Sequence, residues 1–191
     1  MGYIIAILLW IYLLSVFKRK KLNFFYFICG SAGLFTFLLK LFLNKLIDPL
    51  SSLIAVLVGL CSKIYPAIQA YPDYKMIFLD IEVPISLYID FECSGILEIF
   101  IFISLISFFS AYNILNKFIV NIVGVFYIIF ANVLRILSIV FIVGTFGCDY
   151  YYVAHTLIGR LVFYILIIAF YFIVFSKKQI LNQKVGNFEY H

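Results

Sequence analysis

The sequence predicts an all-α polytopic membrane protein of about five to seven transmembrane helices. A short extracytoplasmic β-hairpin-like segment precedes the helix that follows Cys93. Three observations carry this reading. Of 191 residues, 66% are hydrophobic and only 12% charged, about half the charge of a soluble domain. Long uncharged runs recur along the chain, and a bilayer admits only helices or closed barrels. One polar stretch breaks that pattern with a period of two. The net charge of +5 is then a topology signal and not a nucleic-acid footprint. Basic residues gather at Lys18-Arg19-Lys20-Lys21 and at Lys177-Lys178, with Lys184 close by, as cytoplasmic flanks do. Residues 1–191 read as a single integral membrane domain.

Tyr3 to Phe17 makes one short span. Its basic cluster follows it, the reverse of a secretory signal, so no cleavable leader is expected and the N-terminus is placed outside. Leu22 to Leu43 crosses back, with Lys40 snorkelling toward the outer face. Asn44 to Pro49 is a break, because the residue before a proline is pushed out of the helical region. Leu50 to Ile68 has an uncharged core shorter than the ~20 residues of a span. Its small residues Ser52, Ala55, Gly59 and Ser62 suit close packing against another helix. It is expected to be a re-entrant or outer-interface helix, with a short true span as the alternative.

Tyr71 to Glu92 is the most polar stretch away from the termini. From Ile81, apolar Ile81, Val83, Ile85, Leu87, Ile89 and Phe91 alternate with Glu82, Pro84, Ser86, Tyr88, Asp90 and Glu92. That alternation predicts strand, and Pro84 an edge strand or a turn between two short strands. Gly95 to Asn116 is the next span, with Glu98 near its start. Phe118 to Val143 follows, containing Asn132 and Arg135, then a loop from Gly144 to Tyr152. Val153 to Phe175 is the last span, carrying His155 and Arg160 in its first two turns. Residues 176–191 form a polar cytoplasmic tail. Many of the 23 Phe and 15 Tyr fall near segment ends, where aromatic rings favour the interface.

Cys29, Cys61, Cys93 and Cys148 show no CxxC or Cys/His spacing, so neither metal nor cofactor is expected. Cys29 and Cys61 read as small core residues. Cys93, Arg135 and His155 differ, because ionisable or reactive groups held in apolar spans are costly and usually functional. Orienting the last span by Lys177-Lys178 turns His155 outward and places Lys117 on the cytoplasmic side. Cys93 then falls at the outer edge, and Arg135 ~12 Å below the outer end of its span at 1.5 Å per residue. All three converge in the outer leaflet region. A thiol attacks only as thiolate, and burial disfavours that form, so a base or cation must assist. His155 can take the proton, and the guanidinium fork of Arg135 suits a developing oxyanion. The implied chemistry is acyl transfer through a thioester. Each residue also has a structural reading: Cys93 as a packing thiol or paired with Cys148, His155 as an interfacial hydrogen-bonding group, Arg135 paired with Glu98. Glu98 and Arg160 match better in depth, each ~7.5 Å inward.

Cys93-Ser94-Gly95-Ile96 at a helix start, Asn-x-x-Arg-Ile at Asn132 to Ile136, and His-x-x-x-Gly at His155 to Gly159 resemble the exosortase/archaeosortase family, in the family's order. The three motifs cover most of residues 80–175; the first 70 residues carry none. The resemblance implies a bacterial membrane cysteine transpeptidase, a thiol protease in its hydrolytic half-reaction, with its active site near the extracytoplasmic face. Its partners would be membrane-anchored proteins with a C-terminal sorting signal: a short motif, one transmembrane helix and a basic tail. Such enzymes cleave near the motif and pass the protein to a surface acceptor. By the same resemblance Cys93 is the nucleophile, Arg135 the transition-state stabiliser and His155 the proton-transfer residue, with Ser94, Gly95, Asn132, Gly159 and Glu98 supporting. The chain's size and its Ile, Phe, Lys and Asn richness look like the compact Gram-positive forms. Two other readings stand beside this one. One is a non-catalytic transport or assembly subunit, against which no internal repeat or paired broken helices are seen. The other is a thioester-forming lipid acyltransferase.

Overall fold

Helices form where the apolar runs are longest, and a small sheet occupies the polar interval between them. The computed structural model describes residues 2–63, 65–81 and 83–177. In chain order it contains α1 (Gly2–Arg19), α2 (Asn23–Gly59), β1 (Ile68–Tyr71), β2 (Met76–Leu79), β3 (Ile85–Tyr88), α3 (Ile96–Phe108), α4 (Ile114–Phe146), α5 (Tyr151–Val153) and α6 (Gly159–Tyr171). A π-helical turn, Ala154–Ile158, joins α5 to α6. Among the described residues three helical stretches are long and apolar enough to cross a bilayer: Asn23–Lys63, Ile114–Phe146 and Cys148–Ser176. That makes a multi-pass membrane protein, with fewer such stretches than the five to seven expected. From Lys178 on, the expected cytoplasmic tail lies outside the described residues. The chain divides into two compact units, Met1–Val133 and Leu134–His191.

In the first unit the expected break at Asn44–Pro49 is absent, and α2 runs on through Pro49. A proline inside a helix removes one hydrogen bond and costs about 3 kcal/mol. Just beyond it Ile54, Ala55 and Val58 are fully buried, and α2 packs on α3 and on the sheet. Each buried aliphatic side chain stabilises by about 1.5–3 kcal/mol, so packing overrides the local preference. The far half of α2 also straps the sheet. Ser52 Oγ donates to the Pro72 carbonyl at 3.0 Å, and Lys75 donates to Asp48 in an ion pair.

The sheet is an antiparallel meander, β1-β2-β3, not a hairpin. It begins at Ile68, before the expected ribbon. The strand expected from Ile81 to Glu92 shrinks to Ile85–Tyr88, because Pro84 has no N–H to give the ladder and pairing starts after it. Ile77, Leu79, Leu87 and Ile68 are buried.

The bond to Asp48 is the first cause holding the Lys75 ammonium above its ordinary value. A raised folded-state value stabilises below the unfolded one, about 10.4, and the contribution is lost as pH rises through the folded value. Proteolysis of the 65–90 ribbon should therefore stay flat through neutral pH and climb only in strongly alkaline solution. Asp48→Asn should raise cleavage modestly, about twofold, at neutral pH, as suits an exposed pair. Flat cleavage into the alkaline range would show the strap to be idle.

The span expected from Gly95 to Asn116 is also shorter. α3 ends at Phe108, with Phe109 extended, and 13 residues cover only about 20 Å. No proline or glycine marks this end. Lys117, in the first turn of α4, donates to the Ser107 carbonyl at 2.7 Å and satisfies one of the helix end's orphan acceptors. α4 lies close on α3 at Gly124, where an added Cβ would stand 2.0 Å from the buried Phe102 ring.

In the second unit the expected loop from Gly144 to Tyr152 is mostly helical. α4 continues to Phe146, and Gly147, at φ 89°, ends it in the left-handed region open to glycine. A 3₁₀ turn, Cys148–Tyr150, follows. α6 meets α4 closely at Gly159, where an added Cβ would lie 2.9 Å from Ile139.

Candidate active site

Cys93 sits in the turn that joins the sheet to α3, and its main chain is held from three sides. Its N–H is donated to Asp90 Oδ1 at 3.0 Å and to the Asp90 carbonyl at 3.1 Å. Next to it, Ser94 Oγ donates to the Phe91 carbonyl at 2.9 Å and accepts from Ile96 N–H at 3.4 Å, a local hydroxyl–backbone turn that leads into α3. Gly95 stands at φ 71°, ψ 11°, a left-handed position that costs an L side chain roughly 1–2 kcal/mol. The third hold comes from α4: Asn132 Nδ2 donates to the Cys93 carbonyl at 2.6 Å.

Asn132 is 0% exposed, and its Oδ1 is buried without a hydrogen-bond partner among the described residues. A Cβ added at Gly95 would stand 3.4 Å from Asn132 Nδ2, an ordinary contact, so it is the left-handed backbone and not space that asks for glycine here. The Cys93 side chain is 6% exposed and is a thiol, as are the other three cysteines. Glu98 lies half-buried in the first turn of α3.

In the second unit, Arg135 is 5% exposed, with its guanidinium carbon 5.9 Å from the centre of the Phe163 ring. That is cation–π range. Arg135 follows Asn132 by three residues along α4. His155 lies in the π turn, and its ring stacks on Tyr151 with centroids 5.7 Å apart. Single π turns inside helices are frequent at functional sites. Gly159 opens α6 directly after the turn.

The structure thus brings Cys93 together with Ser94, Gly95 and Asn132, and sets Arg135 and His155 on α4 and the π turn of the other unit. Asp90 is absent from the sequence-predicted site. Its signal was there: an aspartate three residues ahead of a fixed N–H is a capping and turn signature. Among the described residues no cluster of His, Cys, Asp or Glu could hold a metal ion. A cavity of about 270 Å³ beside the first turn of α3 is lined by apolar side chains such as Leu53, Ile96, Phe100 and Ile129.

A family model for the transmembrane exosortases matches residues 1–172. The chain belongs to the transmembrane exosortase family. No curated protein and no solved structure matches it. The family match takes in the first 70 residues of this exosortase, where none of the three motifs falls.

Proposed function

We propose that this exosortase-family protein is a cysteine transpeptidase of the bacterial cell membrane, acting near the extracytoplasmic face. Its substrates are proteins that carry a C-terminal sorting signal, a short motif followed by a transmembrane helix and a basic tail. The observation that carries the reading is Cys93: a buried thiol at a helix start whose main chain is fixed by Asp90 and Asn132. Packing alone requires no such restraint.

His155 accepts the thiol proton, and the sulfur adds to the scissile carbonyl carbon. Arg135 stabilises the negative charge on the carbonyl oxygen, as a fixed cation does best in a dry site. The C–N bond then breaks, the departing amine takes the proton from His155, and a thioester remains on Cys93. An amine of a surface acceptor, or water, adds to the thioester and releases the thiol. Asn132, Ser94 and Gly95 hold the nucleophile in place, and Gly159 keeps the helix carrying His155 close to α4.

The test compares the C-termini of surface proteins by mass spectrometry in host cells making the wild type or Cys93→Ala, and weighs the adduct on Cys93. Loss of C-terminal cleavage and a peptide thioester are expected. Unchanged C-termini would reject the reading, and a fatty acyl adduct would replace it with lipid acyl transfer.

Arg135→Lys keeps the charge but loses the planar fork and its stacking on Phe163. Processing should fall about 10²- to 10³-fold, read as the ratio of cleaved to uncleaved protein. A loss under about threefold would make Arg135 a structural residue.

A further inference from the structure

Strand β3 (Ile85–Tyr88) is the outer strand of the meander. Its register shows which way its backbone groups point. Ile89 N–H donates to the Lys75 carbonyl at 2.8 Å, so residue 89 faces β2. With Ile77 opposite Leu87 and Leu79 opposite Ile85, Leu87 and Ile85 face inward too, because antiparallel partners alternate. The N–H and C=O of Ser86 and Tyr88 are left pointing away from the sheet. Both residues are exposed, and no hydrogen bond reaches these backbone groups among the described residues. The opposite edge, β1, is backed by α2.

An open edge of this kind invites pairing with another chain, and proteins normally cover or blunt it. β3, Ile-Ser-Leu-Tyr, carries no lysine or proline of its own to blunt it. β3 instead runs directly into the Cys93 turn, since Asp90, two residues past Tyr88, binds the Cys93 N–H. Among the described residues from Ile68 to Glu92 the charge is mostly acidic, Asp73, Asp80, Asp90 and Glu92 against Lys75, which is engaged with Asp48. Like charges repel across such an edge.

We infer that the exposed edge of β3 is the docking strand for the substrate's sorting signal, which adds as a fourth, extended strand through the backbone of Ser86 and Tyr88. The inference rests on the transpeptidase reading. Either strand direction uses the same groups, and a peptide aligned there leads to Cys93. Affinity comes from main-chain bonds, as in other strand-addition recognition. The acidic surroundings select a neutral or basic segment.

Proline at 86 or 88 deletes an outward N–H while sparing the inward ladder, and edge strands tolerate it. The probe is any host surface protein whose C-terminal cleavage is lost in Cys93→Ala. Ser86→Pro and Tyr88→Pro should slow its cleavage about tenfold or more, the scale of one lost hydrogen bond plus a steric block. Ser86→Ala and Tyr88→Phe, which keep the N–H, should cleave at the wild-type rate. The alkylation rate of Cys93 by a maleimide, unchanged in the proline variants, shows an intact nucleophile turn. Wild-type cleavage by both proline variants would overturn the docking strand and leave the transpeptidase standing. An equal loss in the alanine and proline variants would assign the effect to side chains and overturn it as well. If cleavage persists in Cys93→Ala, both readings fall together.

Discussion

Replacing Cys93 with serine is expected to leave the protein folded and inserted while processing falls about 10⁴-fold or more. The contacts that fix this position are made by the main chain, N–H to Asp90 and carbonyl to Asn132, and serine keeps both. What changes is the nucleophile. A hydroxyl is far harder to deprotonate than a thiol and reacts poorly without a base tuned to it. A structural cysteine would accept serine with a small change in stability and none in turnover. Yield of detergent-extracted protein and cleavage of a Cys93-dependent surface protein, measured side by side, separate these outcomes. Near-normal cleavage by Cys93→Ser would remove Cys93 from the chemistry.

Asn132→Leu should be the next most damaging change. Leucine fills a similar volume, but the Cys93 carbonyl loses the donor at 2.6 Å in a site closed to water. An orphaned buried acceptor costs about 1–3 kcal/mol, visible as a lower Tm in detergent. The catalytic loss should be larger than that cost suggests, about 10²-fold, because small displacements of a nucleophile remove its near-attack geometry. The pH dependence of Cys93 alkylation tells position from mere stability, since a general loosening would not move the thiol's titration. Asn132→Asp should be worse than leucine, because it sets a charged acceptor against a carbonyl. An unchanged alkylation profile with normal cleavage would reduce Asn132 to a packing residue.

The surroundings of Cys93 in the candidate site were more legible in the sequence than the scaffold. Cys93 and Asn132 stand out because a bilayer protein spends few polar residues in apolar runs, while Ser94 and Gly95 are marked only by the resemblance. In the structure Asn132 clamps the Cys93 carbonyl, Ser94 bonds the turn and Gly95 takes its left-handed position. Asp90 was hidden inside the alternating pattern that suggested strand. The scaffold resisted where long-range packing overruled local rules. Pro49 reads as a stop, yet burial of Ile54 and Val58 carries α2 past it. The end of α3 at Phe108 has no breaker, only a lysine arriving from the next helix. β1 is four residues, Ile-Gln-Ala-Tyr, whose strand character comes from pairing with β2 and not from composition.

The π turn at Ala154–Ile158 makes the bearing of His155 a matter of arithmetic. Such a turn carries one residue more than the α-helix around it. Deleting Thr156 would restore the regular count and swing what precedes it by about 100° around the axis. The imidazole would then face a different quarter relative to Gly159 and Phe163, with every reactive side chain still present. The spacing of the His-x-x-x-Gly motif is thus a bearing as well as a spelling. A chain with the same cysteine, arginine and histidine but one residue fewer between His155 and Gly159 would aim its histidine elsewhere.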